Sequence, residues 1–205
     1  MLLKDVLGNE YNEFHEQHIY KSDVNLSEAD IIYTNNESFF ASENIAPNKY
    51  KNITMAKIFN KYTKKNTLKI FSNLKYLELY VEETNYNLFY EIKELENLEI
   101  LYVSVCNTYY DNPIDCELLS YLPNIKTLII ELFTCCEIGK YLNNLPVSLE
   151  NIVFITSDVG SQENYVKYII KNIKLPFGCN LWRFHYFSML SDKGLRSYES
   201  DMTEH

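Results

Sequence analysis

The chain has 205 residues, 46% of them hydrophobic, enough to close one substantial core. Its formal net charge of −9 repels a phosphate backbone at long range, and no run approaches the roughly 18 apolar residues of a membrane span. Nucleic acid and membrane are therefore not expected as partners, although Lys57, Lys61, Lys64 and Lys65 make a small basic cluster.

At the amino terminus, "MLLKDVLGNEY" places Lys4 and Asp5 where a signal peptide needs an apolar run, so a cytoplasmic chain is expected. Five cysteines, an odd number, agree with a reducing compartment: Cys135 and Cys136 are adjacent, Cys106, Cys116 and Cys179 are scattered, and the set has no zinc-ligand spacing. The sequons at Asn25, Asn36 and Asn52 would matter only in a secreted chain. Residues 1–70 read as a mostly helical amino-terminal cap. Leu3, Val6, Leu7 and Phe14 have loose helical spacing, "DIIYT" (30–34) suits an extra edge strand, and "NITMAKIFNKY" (52–62) reads as a helix through Ile53, Met55, Ile58, Phe59 and Tyr62 with Asn52 as its N-cap.

Residues 71–190 are organised by an internal period. The segments "FSNLKYLEL" (71–79), "LENLEILYV" (95–103), "LPNIKTLII" (122–130), "LPVSLENIVF" (145–154) and "FGCNLWRFHY" (177–186) share an apolar anchor followed by apolar-x-x-apolar-x-apolar. Taking Leu74, Leu98, Ile125, Leu149 and Leu181 as the first member of each triple gives spacings of 24, 27, 24 and 32 residues. Between these short strands the rhythm changes to three and four. Leu88, Ile92 and Leu95 follow it, as do Ile114, Leu118 and Leu122, then Ile138, Tyr141, Leu142 and Leu145, and finally Tyr165, Val166, Ile169, Ile170 and Ile173. These are amphipathic helices. Beyond residue 190 the apolar period is lost, and 191–205 reads as a mobile tail.

The repeated unit resembles that of the leucine-rich repeat family, L-x-x-L-x-L-x-x-N/C-x-L, over about three-fifths of the chain. At the N/C position Cys106 fits, whereas Glu82, Phe133, Ser157 and Met189 stand in the other copies, which implies an irregular arc. The copy "LPVSLENIVF" is also similar to the FNIP-type repeats of amoebae and giant DNA viruses; for a viral protein the expected compartment would be the host-cell cytoplasm. The resemblance implies an α/β solenoid, a horseshoe arc with a parallel sheet on its concave face and helices on its convex face. It also implies a non-enzymatic protein-interaction role, with another protein or a second copy of the chain as partner and no cofactor.

Strand alternation then assigns the concave face to Tyr76, Glu78 and Tyr80, to Ile100, Tyr102 and Ser104, to Thr127, Ile129 and Glu131, to Asn151, Val153 and Ile155, and to Arg183, His185 and Phe187. Its centre is aromatic and aliphatic. Two readings of it stay open: a face free for a partner, or one over which residues 1–50 fold back. If it is free, Tyr102→Ala and Ile129→Ala leave stability unchanged.

Catalytic readings find less support. Gly8, Gly139, Gly160, Gly178 and Gly194 are isolated, so there is neither a P-loop nor a dinucleotide fingerprint. In "HEQH", His15 and His18 are three apart rather than the four of a zinc protease helix, with Glu16 between them and no third ligand marked; a metal-dependent hydrolase built on them is the enzymatic alternative. An adaptor of a ubiquitin ligase is the other alternative, because repeats of this family often follow an F-box, but residues 1–50 show no "LPxE" start to one.

Overall fold

A computed structural model describes residues 6–7, 31–34, 50–59, 68–81, 91–105, 121–132, 142, 144–157, 171, 173–187 and 197–200. Eight strands form one sheet in sequence order: β1 (Ile31–Thr34), β2 (Met55–Phe59), β3 (Tyr76–Val81), β4 (Ile100–Val105), β5 (Thr127–Leu132), β6 (Asn151–Ser157), β7 (Asn180–Phe187) and β8 (Ser197–Ser200). All pairings from β1 to β7 are parallel, and β8 runs antiparallel to β7.

β2, β3, β4, β6 and β7 each follow a short turn closed by a backbone bond three residues back. Ile53 N donates to Tyr50 O, Leu74 N to Phe71 O, Leu98 N to Leu95 O, Leu149 N to Pro146 O and Cys179 N to Pro176 O, at 3.0–3.2 Å. One residue later the turns are stitched together: Lys75 O accepts from both Glu99 N and Ile100 N, Glu99 O from Lys126 N and Thr127 N, and Lys126 O from Glu150 N and Asn151 N. An asparagine ladder reinforces them. Asn73, Asn97 and Asn124 donate Nδ2 to the carbonyls of Lys51, Ser72 and Glu96, at 2.7, 3.0 and 2.8 Å. Each bond links one turn to the preceding turn and gives a turn carbonyl there a partner in its neighbour. At the next turn Ser148 replaces asparagine, and its buried Oγ has no hydrogen-bond partner among the described residues.

The core on the first face is a set of register columns. Ala56, Leu77, Leu101, Leu128, Ile152 and Leu181 form one, and Ile58, Leu79, Val103, Ile130 and Phe154 a second. The anchors Ile53, Leu74, Leu98, Ile125 and Leu149 lie beneath them, all buried. Each such side chain contributes roughly 1.5–3 kcal/mol by leaving water. A 3-10 turn at Leu68–Ile70 is tied into the next unit by Glu91, whose buried Oε2 accepts from Leu68 N at 2.8 Å.

Three expectations are corrected. Residues 55–59 form β2 rather than part of a helix, because Met55 and Lys57 point to one face and Ala56 and Ile58 to the other, and both faces are buried. Two-sided burial removes the alternation that marks a strand, and the remaining apolar spacing imitates a helix. With β1 where "DIIYT" was expected to form a strand, the region read as a mostly helical cap supplies two strands of the same sheet. The segment read as a mobile tail contains β8. Among the predicted helices, Glu91 and Ile92 are helical, as is Lys171; the rest of those segments lies mostly outside the described residues. No helix among the described residues is long and apolar enough to cross a membrane.

Candidate functional site

The second face of the sheet is built from three register columns. Met55, Tyr76, Ile100, Thr127, Asn151 and Asn180 make the first, and Lys57, Glu78, Tyr102, Ile129, Val153 and Trp182 the second. The third runs through positions 59, 80, 104, 131, 155 and 184. The expected residues of β3, β4, β5 and β6, from Tyr76, Glu78 and Tyr80 across to Asn151, Val153 and Ile155, therefore share this face in register.

The β7 residues do not. Arg183 pairs with Phe154 and His185 with Thr156, which shifts them by one residue from the column of Asn151, Val153 and Ile155, and Phe187 lies past the parallel ladder, opposite Ser197. The physical reason is a missing residue. In β6 the anchor Leu149 is followed by Glu150 before the strand starts at Asn151, whereas the equivalent anchor Cys179 leads directly into Asn180. The turn before it, Pro176 to Cys179, has Gly178 at φ +78°, the value a type II turn requires at its third position. A Cβ there would meet nothing within 4 Å, so the glycine serves the backbone angle and not the space. Arg183 is 9% exposed, and its Nε and Nη2 have no hydrogen-bond partner among the described residues. Trp182 takes the place expected for Arg183 and donates Nε1 to Asn151 Oδ1 at 2.9 Å.

The second face is covered. Tyr76, Ile100, Tyr102, Ile129, Val153 and Ile155 form a second apolar cluster with Met55 and with Leu7, which is itself 4% exposed; Val6 and Trp182 pack against it. Ile129, Val153 and Ile155 have no exposed surface. The reading in which amino-terminal residues return over this face fits, and because Ile129 is buried rather than open, the expectation for Ile129→Ala changes from silence to destabilisation. Val6 and Leu7 are helical, as their spacing with Leu3 predicts.

A polar seam runs through this cluster. Lys57 Nζ lies 2.7 Å from Glu78 Oε1, both side chains being almost wholly buried, and 4.9 Å from the centre of the Tyr80 ring. Tyr80 and Tyr76 donate their hydroxyls to Glu78, and Tyr102 donates to Glu131 Oε2 at 2.6 Å. The cation and the shared donors make burial of the Glu78 carboxylate tolerable. The Tyr76 and Tyr102 hydroxyls are held well above the usual tyrosine value, first by burial and then by the negative charge of Glu78 and Glu131 respectively. They stay protonated and act as hydrogen-bond donors rather than bases. Sequence reasoning missed Met55 and Lys57 because it read them into a helix. The signal was present, since "YKNI" (50–53) repeats the apolar-x-Asn-apolar turn of "FSNL", "LENL" and "LPNI".

No group of three His, Cys, Asp or Glu that could hold a metal occurs among the described residues, and His15, Glu16 and His18 lie outside them. Cys179 is a free thiol pushed up to about 11 by burial, hence a weak nucleophile near neutrality. Comparison of the chain with family models, curated proteins and solved structures finds no match.

Proposed function

We propose that the chain is a leucine-rich-repeat-like solenoid that acts without catalysis, holding a short apolar helical segment of another protein against the second face of its sheet. The repeated turns, the asparagine ladder and the sequential parallel register support the solenoid reading. One observation carries the function: a helical dipeptide, Val6 and Leu7, already occupies that face, with Leu7 buried among Met55, Tyr76, Ile100, Tyr102, Ile129, Val153 and Ile155. An apolar anchor from a helix seated in a prepared surface is a general mode of peptide recognition. Here it is satisfied in cis.

The chemistry of the face defines the partner. Lys57 and Glu78 neutralise each other, while Glu131 accepts a hydrogen bond from the neutral Tyr102 hydroxyl, so a basic residue beside the apolar anchor would add attraction. The covering segment competes at an effective concentration of about millimolar, which a partner must exceed. Calorimetric titration of a synthetic peptide of residues 1–12 tests this. The peptide should bind full-length Leu7→Asp, in which the cis anchor is disabled, and bind the wild type far more weakly. If it binds neither, while Leu7→Asp remains folded at a lower Tm, Leu7 is only part of the core and the proposal fails.

A further inference from the structure

Among the described residues, the large hydrophobic side chains left exposed are Tyr121, Val147 and Phe177, at 66%, 94% and 107%. They lie at the turns that lead into β5, β6 and β7, three neighbouring strands, and so fall in a row along one edge of the sheet. Val147 and Phe177 occupy the same place in equivalent turns, each directly after a proline whose carbonyl closes the turn. In the preceding turns that place is held by Lys51, Ser72 and Glu96, and then by the exposed Pro123. A polar edge becomes apolar over its last three turns. The residue deleted before β7 also removes the charge that Lys75, Glu99, Lys126 and Glu150 supply one position after the anchor in the four preceding turns.

The geometry points to this row as an isologous contact between two copies of the chain. Val147 lies in the middle turn, with one turn bearing Tyr121 and Pro123 on one side and one turn bearing Phe177 on the other. A two-fold axis through Val147 therefore sets each copy's Phe177 against the other's Tyr121 and Pro123, and Val147 against itself. Such a patch is its own complement. With aromatic side chains offering about 150–250 Å² each, the row presents on the order of 400–500 Å² per copy. Two copies bury roughly 800–1,000 Å², at the lower limit for a specific interface, which makes a reversible dimer rather than an obligate one. The two Glu150 side chains approach the axis, and each copy carries a net charge of −9, so screening by salt strengthens the contact.

Sedimentation velocity of the full chain from about 10 µM to about 1 mM, with and without about 0.5 M added salt, tests this. The average mass should rise from monomer toward dimer, more steeply at high salt. Phe177→Lys and Val147→Lys should each hold it at the monomer with Tm unchanged, and Leu7→Asp should leave the dimer intact because it acts on the other surface. A wild type monomeric throughout, a dimer that dissolves as salt is added, or one that survives both lysines overturns the inference.

Discussion

Ile129→Ala separates a sheet buried on both faces from one buried on a single face. Ile129 has no exposed surface and sits in register between Tyr102 and Val153, in the cluster that includes Leu7. Truncation removes about three methylene equivalents at ~0.8 kcal/mol each. The unfilled space adds ~24 cal/mol per Å³, so the total is about 2–5 kcal/mol. Its chain neighbour Leu128 faces the other core and is 1% exposed, so Leu128→Ala should cost a similar amount. In a chain of this size each kcal/mol lowers Tm by roughly 2–4 °C, so both variants should melt about 4–20 °C early. Val147→Ala, on the exposed row, should stay within about 0.5 kcal/mol of wild type and serves as the control. If Leu128→Ala behaves as stated while Ile129→Ala matches the control in urea denaturation, the second face is open and the account of its cover is wrong.

Lys57→Met should destabilise by about 3–5 kcal/mol, because it leaves Glu78 buried without its cation, and Lys57→Met with Glu78→Leu should recover most of that loss in the same urea assay. A double variant no better than the single would show that the pair is not the unit of stability. Ser148→Asn should extend the asparagine ladder to the Pro123 carbonyl and raise stability by about 1 kcal/mol, read as a higher urea midpoint; no gain would mean the turn geometry there differs. Tyr76 and Tyr102 have folded values raised above the unfolded value of 10.0, so their stabilisation is complete below pH 10 and is lost as pH rises from there toward the folded values. Stability should fall by about 1.4 kcal/mol per pH unit for each hydroxyl in that window, and Tyr102→Phe should have the shallower slope. Equal slopes would place the Tyr102 hydroxyl in water.

The strand positions of β3 to β6 were legible because each strand carries an invariant local instruction: an apolar turn, one polar residue, then side chains fixed alternately to two faces. Twelve second-face residues followed from that parity alone. At β7 the same rule failed because one residue is missing between the anchor Cys179 and the strand, which reverses the parity; taking Leu181 as the anchor, two residues later, kept the parity of the other units and so hid the change. β2 was hidden for a different reason. Lys57 reads as surface, and its contact with Glu78, 21 residues away, helps make it compatible with the interior. The identity of the cover was beyond local reasoning: the spacing of Val6 and Leu7 specifies a helix face but not the surface that receives it.

Trp182 is the chain's single tryptophan and packs against the second-face cluster, which makes its emission a native reporter of whether that face is covered. The measurement that bears most directly on the account is that emission in wild type and in full-length Leu7→Asp, before and after addition of the peptide of residues 1–12. The account predicts a red shift in the variant, with the far-ultraviolet circular dichroism retained, and its reversal by the peptide. A folded variant whose emission equals that of the wild type and ignores the peptide would contradict it.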